Sequence, residues 1–168
     1  MILIAFGSNL PSPAGAPAET VRAALAALQP NGIEPVKVSQ LYKTEAWPDP
    51  NDPPFVNAVA QVRTTLSPRA LLNTLHEMER FFGRIRTVPN APRTLDLDIL
   101  DYEGRIEDGP PTLPHPRLER RAFVLAPLAE IAPGWRHPVS GLTAEELLRA
   151  SPNVMDKVVP LSSNDPAN

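Results

Sequence analysis

The alternation Leu95-Asp96-Leu97-Asp98-Ile99 constrains this chain more than any other segment. Side chains two residues apart on a strand point to the same side, at a rise of roughly 3.3 Å per residue. Leu95, Leu97 and Ile99 then form an apolar face, and Asp96 and Asp98 stand together on the other. Aspartate is depleted in strands, and like charges on one face repel. The pair therefore reads either as a solvated face or as a platform for a divalent cation. Hard oxygen ligands suit magnesium, which takes one or two carboxylates and completes its shell with substrate phosphates. Two carboxylates on a rigid strand can also hold two metals for phosphoryl transfer.

Arginines flank the pair: Arg80, Arg84, Arg86 and Arg93 before it, Arg117, Arg120 and Arg121 after it. Singly, each is a solvated surface residue. As a group beside two carboxylates they fit the cationic clamps that phosphate oxygens need during transfer. There is no GxxxxGK or GxGxxG loop, so phosphates would not be cradled by a glycine-rich turn. Glu79 stands four residues after Leu75 and seven after Leu72, within the apolar stripe of its helix. A carboxylate there needs a partner, either an arginine or a substrate hydroxyl or amine. Phe55 and Asn57 share one strand face, as core residues or as a ring and an amide that read a flat heterocycle. His115 lies between two prolines in a rigid loop, where it serves either structure or a ligand.

The remaining pattern gives the architecture. Met1 to Phe6 reads as a buried strand, Pro17 to Gln29 as a helix stopped by Pro30, and Val36 to Thr44 and Phe55 to Thr64 as strands. Ser67-Pro68 starts a helix whose stripe of Leu71, Leu72, Leu75, Met78 and Phe82 stops at Gly83. Leu95 to Tyr102 is a further strand, followed by a turn at Tyr102-Glu103-Gly104-Arg105 into a short return strand. Ala122 to Ile131 reads as a helix despite Pro127, and Thr143 caps a short helix ending at Arg149. This β-α-β-β-α-β order predicts an α+β, ferredoxin-like antiparallel sheet with helices on one face and an α-rich C-terminal extension. We expect one domain over residues 1–160 and a disordered tail over 161–168.

Composition narrows the function. Sixteen Lys and Arg against 19 Asp and Glu leave a formal charge of −3, without the basic excess of a phosphate-bound nucleic-acid binder. No cysteine is present, which removes disulfide, zinc–thiolate and thiol chemistry. No run approaches the roughly 18 apolar residues of a membrane span, and we expect a cytoplasmic protein with neither membrane nor nucleic-acid partners. The 22 prolines fall mostly in connections, where they restrict the backbone.

The segments "FGSNL", "FVNAV", "EMERFFGRIR", "APRTLDLDIL" and "LPHPRLERRAFVLAPLAEIAP" occur in that order and reach to about Pro133. Together they resemble the signature of the 6-hydroxymethyl-7,8-dihydropterin pyrophosphokinases of folate biosynthesis. The resemblance implies a ferredoxin-like fold and pyrophosphoryl transfer from ATP to the pterin's hydroxymethyl oxygen, with AMP as the other product. It implies that Asp96 and Asp98 hold two magnesium ions, and that Arg84, Arg93, Arg121 and Asp98 act in catalysis. Glu79, Thr112 and His115 would contact the nucleotide along with Arg84 and Arg93. Thr44, Ala46, Trp47, Phe55, Asn57 and Phe123 would hold the pterin. The family commonly has tyrosine where Phe55 stands, and a longer, tryptophan-bearing loop where this chain has "TVPNAPR". We expect a stand-alone monomeric enzyme. A ferredoxin-like module that binds nucleotide or pterin without turnover is the alternative, and an RNA-binding sheet of the RRM type is disfavoured by the missing aromatic pattern.

Overall fold

The computed structural model of the chain describes residues 1–151 and 158–162. The strands are β1 (Ile2–Ser8), β2 (Glu34–Val38), β3 (Tyr42–Thr44), β4 (Phe55–Arg63), β5 (Asp96–Tyr102) and β6 (Val158–Pro160). The helices are α1 (Pro17–Ala27), α2 (Pro68–Phe81), α3 (Ala122–Ile131) and α4 (Ala144–Arg149). Every strand pairing is antiparallel. The path across the sheet runs β5-β1-β4-β3-β6, with β2 also on β4.

Local chemistry sets the helix ends. The Ser67 hydroxyl accepts the Ala70 N–H (3.2 Å), Pro68 opens α2, and Gly83 ends it with φ +83°. Thr143 and Glu146 cap α4 reciprocally, hydroxyl to backbone and carboxylate to backbone. Pro127 does not break α3, because the helix is buried along most of its length and packing outweighs the one missing backbone bond.

Three sequence expectations change. The strand expected over residues 36–44 is two strands, separated by an offset at residues 39–41. The return strand after Gly104 reduces to one bridge between Glu107 and Leu113, since Pro110, Pro111 and Pro114 lack the N–H groups a ladder needs. Helices cover both faces of the sheet rather than one. Ile4, Phe6, Val56, Ala60, Leu97 and Ile99 pack on α1 and α2, whereas Leu3, Ala5, Val59 and Leu100 pack on α3, α4 and Trp135. β1 is buried at all seven positions because it lies between these two cores. Of the expected tail, Leu161 donates its N–H to Leu41 O (2.8 Å), and residues 163–168 lie outside the described residues.

A bulge in β5 sends its third aspartate to a different fate from the first two. Asp101 pairs with Leu3 and Ile99 with Ile4, so Leu100 is an extra residue. Leu100 enters the core of α3 and α4, and Asp101 beside it accepts the Trp135 indole N–H (2.7 Å) on that same side. The extra residue turns the buried Asp101 inward, while Asp96 and Asp98 keep the regular alternation.

Candidate active site

One row of side chains crosses four strands. Tyr42 pairs with Asn57, Asn57 with Gly7, and Gly7 with Asp96. Residues directly opposite on neighbouring strands share a face, so all four lie on the side covered by α3. Ala5, Val59 and Asp98 stand one step further along that side. Gly7 is the gap in the row: a Cβ there would lie 3.2 Å from Asn57 Oδ1, 3.8 Å from Phe55 and 3.9 Å from Asp96 Cβ.

Both expected metal-binding carboxylates are held by cations. Asp96 Oδ1 takes Arg84 Nη1 (2.6 Å) and its Oδ2 takes Arg93 Nη1 (3.2 Å). Asp98 Oδ2 takes Arg121 Nη1 (3.1 Å) and His115 Nε2 (3.4 Å). His115 Nδ1 accepts the Arg117 N–H (3.2 Å), which leaves Nε2 as the protonated nitrogen facing Asp98. Burial alone would raise Asp98, but the hydrogen bonds and charges of His115 and Arg121 outweigh it and hold the carboxyl well below its usual range.

Glu79 is buried, 2% exposed, at the C-terminal end of α2. It accepts the Leu97 N–H (2.8 Å), Arg84 Nη1 (2.9 Å) and Arg86 Nη2 (2.9 Å). Burial dominates and pushes it up to about 7, against the Leu97 N–H and the Arg84 and Arg86 charges. Arg84 thus bridges Glu79 and Asp96, whose charges raise its pKa in spite of its burial.

Two carboxylates on one face, with no third His, Asp or Glu grouped to hold a metal among the described residues, form an incomplete shell. That composition fits magnesium delivered with phosphate oxygens, and it does not fit an ion caged by protein alone.

Of the residues expected at the heterocycle, Asn57 Nδ2 donates to Thr44 Oγ1 (2.8 Å) inside the sheet. The rings of Phe55 and Phe123 face Arg93 and Arg121, with Cζ to centroid distances of 5.9 and 5.6 Å. Ala46 is buried, whereas Trp47 is 69% exposed and Thr112 is exposed on its loop. An open depression of about 530 Å³ is lined by residues that include Lys43, Ala46, Asp52 and Pro54, and none of the arginine–carboxylate residues lines it.

Asn9 was not singled out from the sequence. Its Oδ1 accepts the Arg93 N–H (2.8 Å), its Nδ2 donates to Pro53 O (3.1 Å), and its side chain is buried. It thereby ties the loop entering β5 to the loop entering β4, and the motif "GSNL" was the signal for it. Arg86 stood among the flanking arginines, but nothing in the sequence assigned it to Glu79.

The family model described as 7,8-dihydro-6-hydroxymethylpterin-pyrophosphokinase matches residues 3–133. The chain belongs to this family. It is 46% identical over 118 residues to the Synechocystis 2-amino-4-hydroxy-6-hydroxymethyldihydropteridine pyrophosphokinase, covering 70% of this chain and 60% of that protein. The Pseudomonas aeruginosa protein of the same name is 42% identical over 154 residues, covering 90% of this chain and 91% of its own. The Schizosaccharomyces pombe folic acid synthesis protein fol1 is 37% identical over 152 residues, and this chain spans only 20% of it. In fold, the chain is similar to the crystal structure of wild-type Plasmodium falciparum HPPK-DHPS, with a TM-score of 0.67 at 12% identity over 89% of this chain and 44% of that one.

Proposed function

We propose that the chain transfers a pyrophosphoryl group from ATP to the hydroxymethyl oxygen of 6-hydroxymethyl-7,8-dihydropterin, releasing AMP. One observation carries this reading. Asp96 and Asp98, each clamped by an arginine, stand in the same face of the sheet as Asn57, with only Gly7 between Asn57 and Asp96. On this reading a phosphate site and a site for a flat polar ring would stand side by side, as in-line transfer between two bound substrates requires.

In the reaction, the hydroxymethyl oxygen forms a bond to the β-phosphorus and the bond from that phosphorus to the bridging α–β oxygen breaks. AMP leaves, and the hydroxyl proton passes to solvent or to Asp98. Arg84, Arg93 and Arg121 leave their carboxylate partners to meet the phosphate oxygens. Asp96 and Asp98 would hold two magnesium ions, which neutralise phosphate charge when bound. Glu79, Thr112 and His115 would contact the nucleotide. Phe55 and Phe123 would stack on the pterin, Asn57 and Thr44 would read its amide edge, and the backbone at Ala46 and Trp47 would close that edge. Catalysis on this reading is positioning and electrostatics. We further read the β5-β1-β4-β3 order, with α1 and α2 on one face, as ferredoxin-like, and the protein as a cytoplasmic monomer.

The test mixes the protein with ATP, magnesium and 6-hydroxymethyl-7,8-dihydropterin and resolves the nucleotides. AMP formed one-for-one with pterin diphosphate is the expected result. ADP would mean single-phosphoryl transfer, and binding of both ligands without turnover would replace the enzyme with a binding module.

A further inference from the structure

The offset between β2 and β3 is held by a residue outside the site. From Val38 to Tyr42 the chain advances four residues while its partner strand advances three, from Ala60 to Asn57. Because side chains alternate, this one-residue offset decides which face Tyr42 and Thr44 occupy. Without it, Thr44 would turn away from Asn57.

Three contacts hold the offset. Ser39 exchanges bonds with Val59, donating its N–H to the carbonyl and accepting the Val59 N–H on its hydroxyl, both at 3.0 Å. The Leu41 carbonyl accepts the Leu161 N–H (2.8 Å). The Gln40 N–H goes to the carboxylate of Glu130, at 3.1 and 3.3 Å from its two oxygens. That same carboxylate accepts the phenol of Tyr42 at 2.7 Å. The Tyr42 ring is buried, directly opposite Asn57, so its hydroxyl has one fixed place to reach. Burial first, then the hydrogen bond and charge of Glu130, push this phenol above its ordinary pKa and keep it an O–H donor.

Glu130 lies near the end of α3, whose first turn carries Phe123 and follows directly on Arg121. A single carboxylate therefore joins the helix bearing one expected ring wall to the strand bearing Thr44. We infer that Glu130, acting through Tyr42 and the Gln40 N–H, is a positioning residue for the pterin half of the site. It sets the register in which Thr44 meets Asn57. The inference rests on the proposed function.

The test is steady-state kinetics with both substrates varied, on Glu130→Ala and Tyr42→Phe. Loss of the charge-assisted bond between Tyr42 and Glu130, which both variants remove, is expected to raise the KM for the dihydropterin about tenfold. The KM for ATP and kcat at saturating pterin should stay within about twofold, because the arginine–carboxylate groups are untouched. Glu130→Gln, which keeps an acceptor oxygen for the phenol, should restore most of the pterin KM. Tyr42→Phe retains the ring and removes only the hydroxyl, so it reports on the contact even if Glu130→Ala fails to fold. An unchanged pterin KM in Tyr42→Phe would overturn the inference. So would equal losses for both substrates in step with a lower Tm, which would make the contact merely structural. If the unaltered protein shows no turnover with this pterin, the proposed function itself fails, a result distinct from either.

Discussion

The carboxylate of Glu79 accepts the backbone N–H of Leu97 at 2.8 Å, joining the end of α2 to the outer edge of the strand that carries both aspartates. β5 is an edge strand, and an edge N–H buried without a partner costs about 1–3 kcal/mol. Glu79→Leu should therefore lose stability of that order in urea unfolding. At about pH 4.5, where the raised pKa keeps Glu79 protonated in the folded chain, Glu79→Gln retains an acceptor oxygen and should stay within about 1 kcal/mol of the parent. Equal losses in the two variants would mean that the ion pairs, not the Leu97 bond, hold this junction.

Glu79 also gives stability a pH dependence. Its folded pKa is raised from 4.5 to about 7, chiefly by burial. Between those values the unfolded chain releases the proton while the folded chain keeps it, so this residue's contribution falls as pH rises through that window. Below and above the window it is flat. The shift corresponds to about 3 kcal/mol. Urea titrations at intervals from pH 4.5 to 7 should show this decline in the parent and a flatter profile in Glu79→Gln. Parallel profiles would remove Glu79 as the source.

Asp98→Ala should reduce transfer by about 100-fold or more while the protein still folds, its unfolding midpoint at neutral pH lowered by the loss of the contacts that depress Asp98. Asp98 is part-exposed at 29% and its partners Arg121 and His115 both border solvent, so their loss of a partner is met by water. Asp96→Asn should act likewise on transfer. Product formation at parental rate in either variant would refute the magnesium assignment.

Gly7 tests the gap in the row. An alanine Cβ would meet Asn57 Oδ1 at 3.2 Å, closer than most Cβ contacts, while the backbone there is ordinary strand. Gly7→Ala should fold and should weaken dihydropterin binding about tenfold by displacing the Asn57 amide from Thr44. Direct titration with the dihydropterin checks it. Unchanged affinity would show that Asn57 accommodates the methyl group without consequence.

What the sequence disclosed depends on the range of the forces involved. Strand alternation is local, so Asp96 and Asp98 could be placed on one face from five residues. Helix stripes and caps are local too, and Ser67, Thr143 and Gly83 marked their ends. The identity of partners is not local. Arg93 and Asp96 are three apart, but Asp98 finds Arg121 across 23 residues, and Asn9 finds Arg93 across 84. The offset at residues 39–41 depends on a carboxylate 90 positions away, and no pattern in "VKVSQLYKT" announces it. β6 was missed for the same reason: three residues carry too little alternation, and only the edge of β3 makes them a strand.

The row from Tyr42 through Asn57 and Gly7 to Asp96 draws on four strands, and the pairings of β1 with β4 and with β5 join residues far apart along the chain. Contacts of such long sequence separation close late, after the loops between them have lost their freedom. A newly made or partly unfolded chain, even with α2 and its neighbouring strand in place, therefore holds no complete site. The candidate site would thus be completed late in assembly, and local opening at either edge of the sheet would undo it before the core is lost.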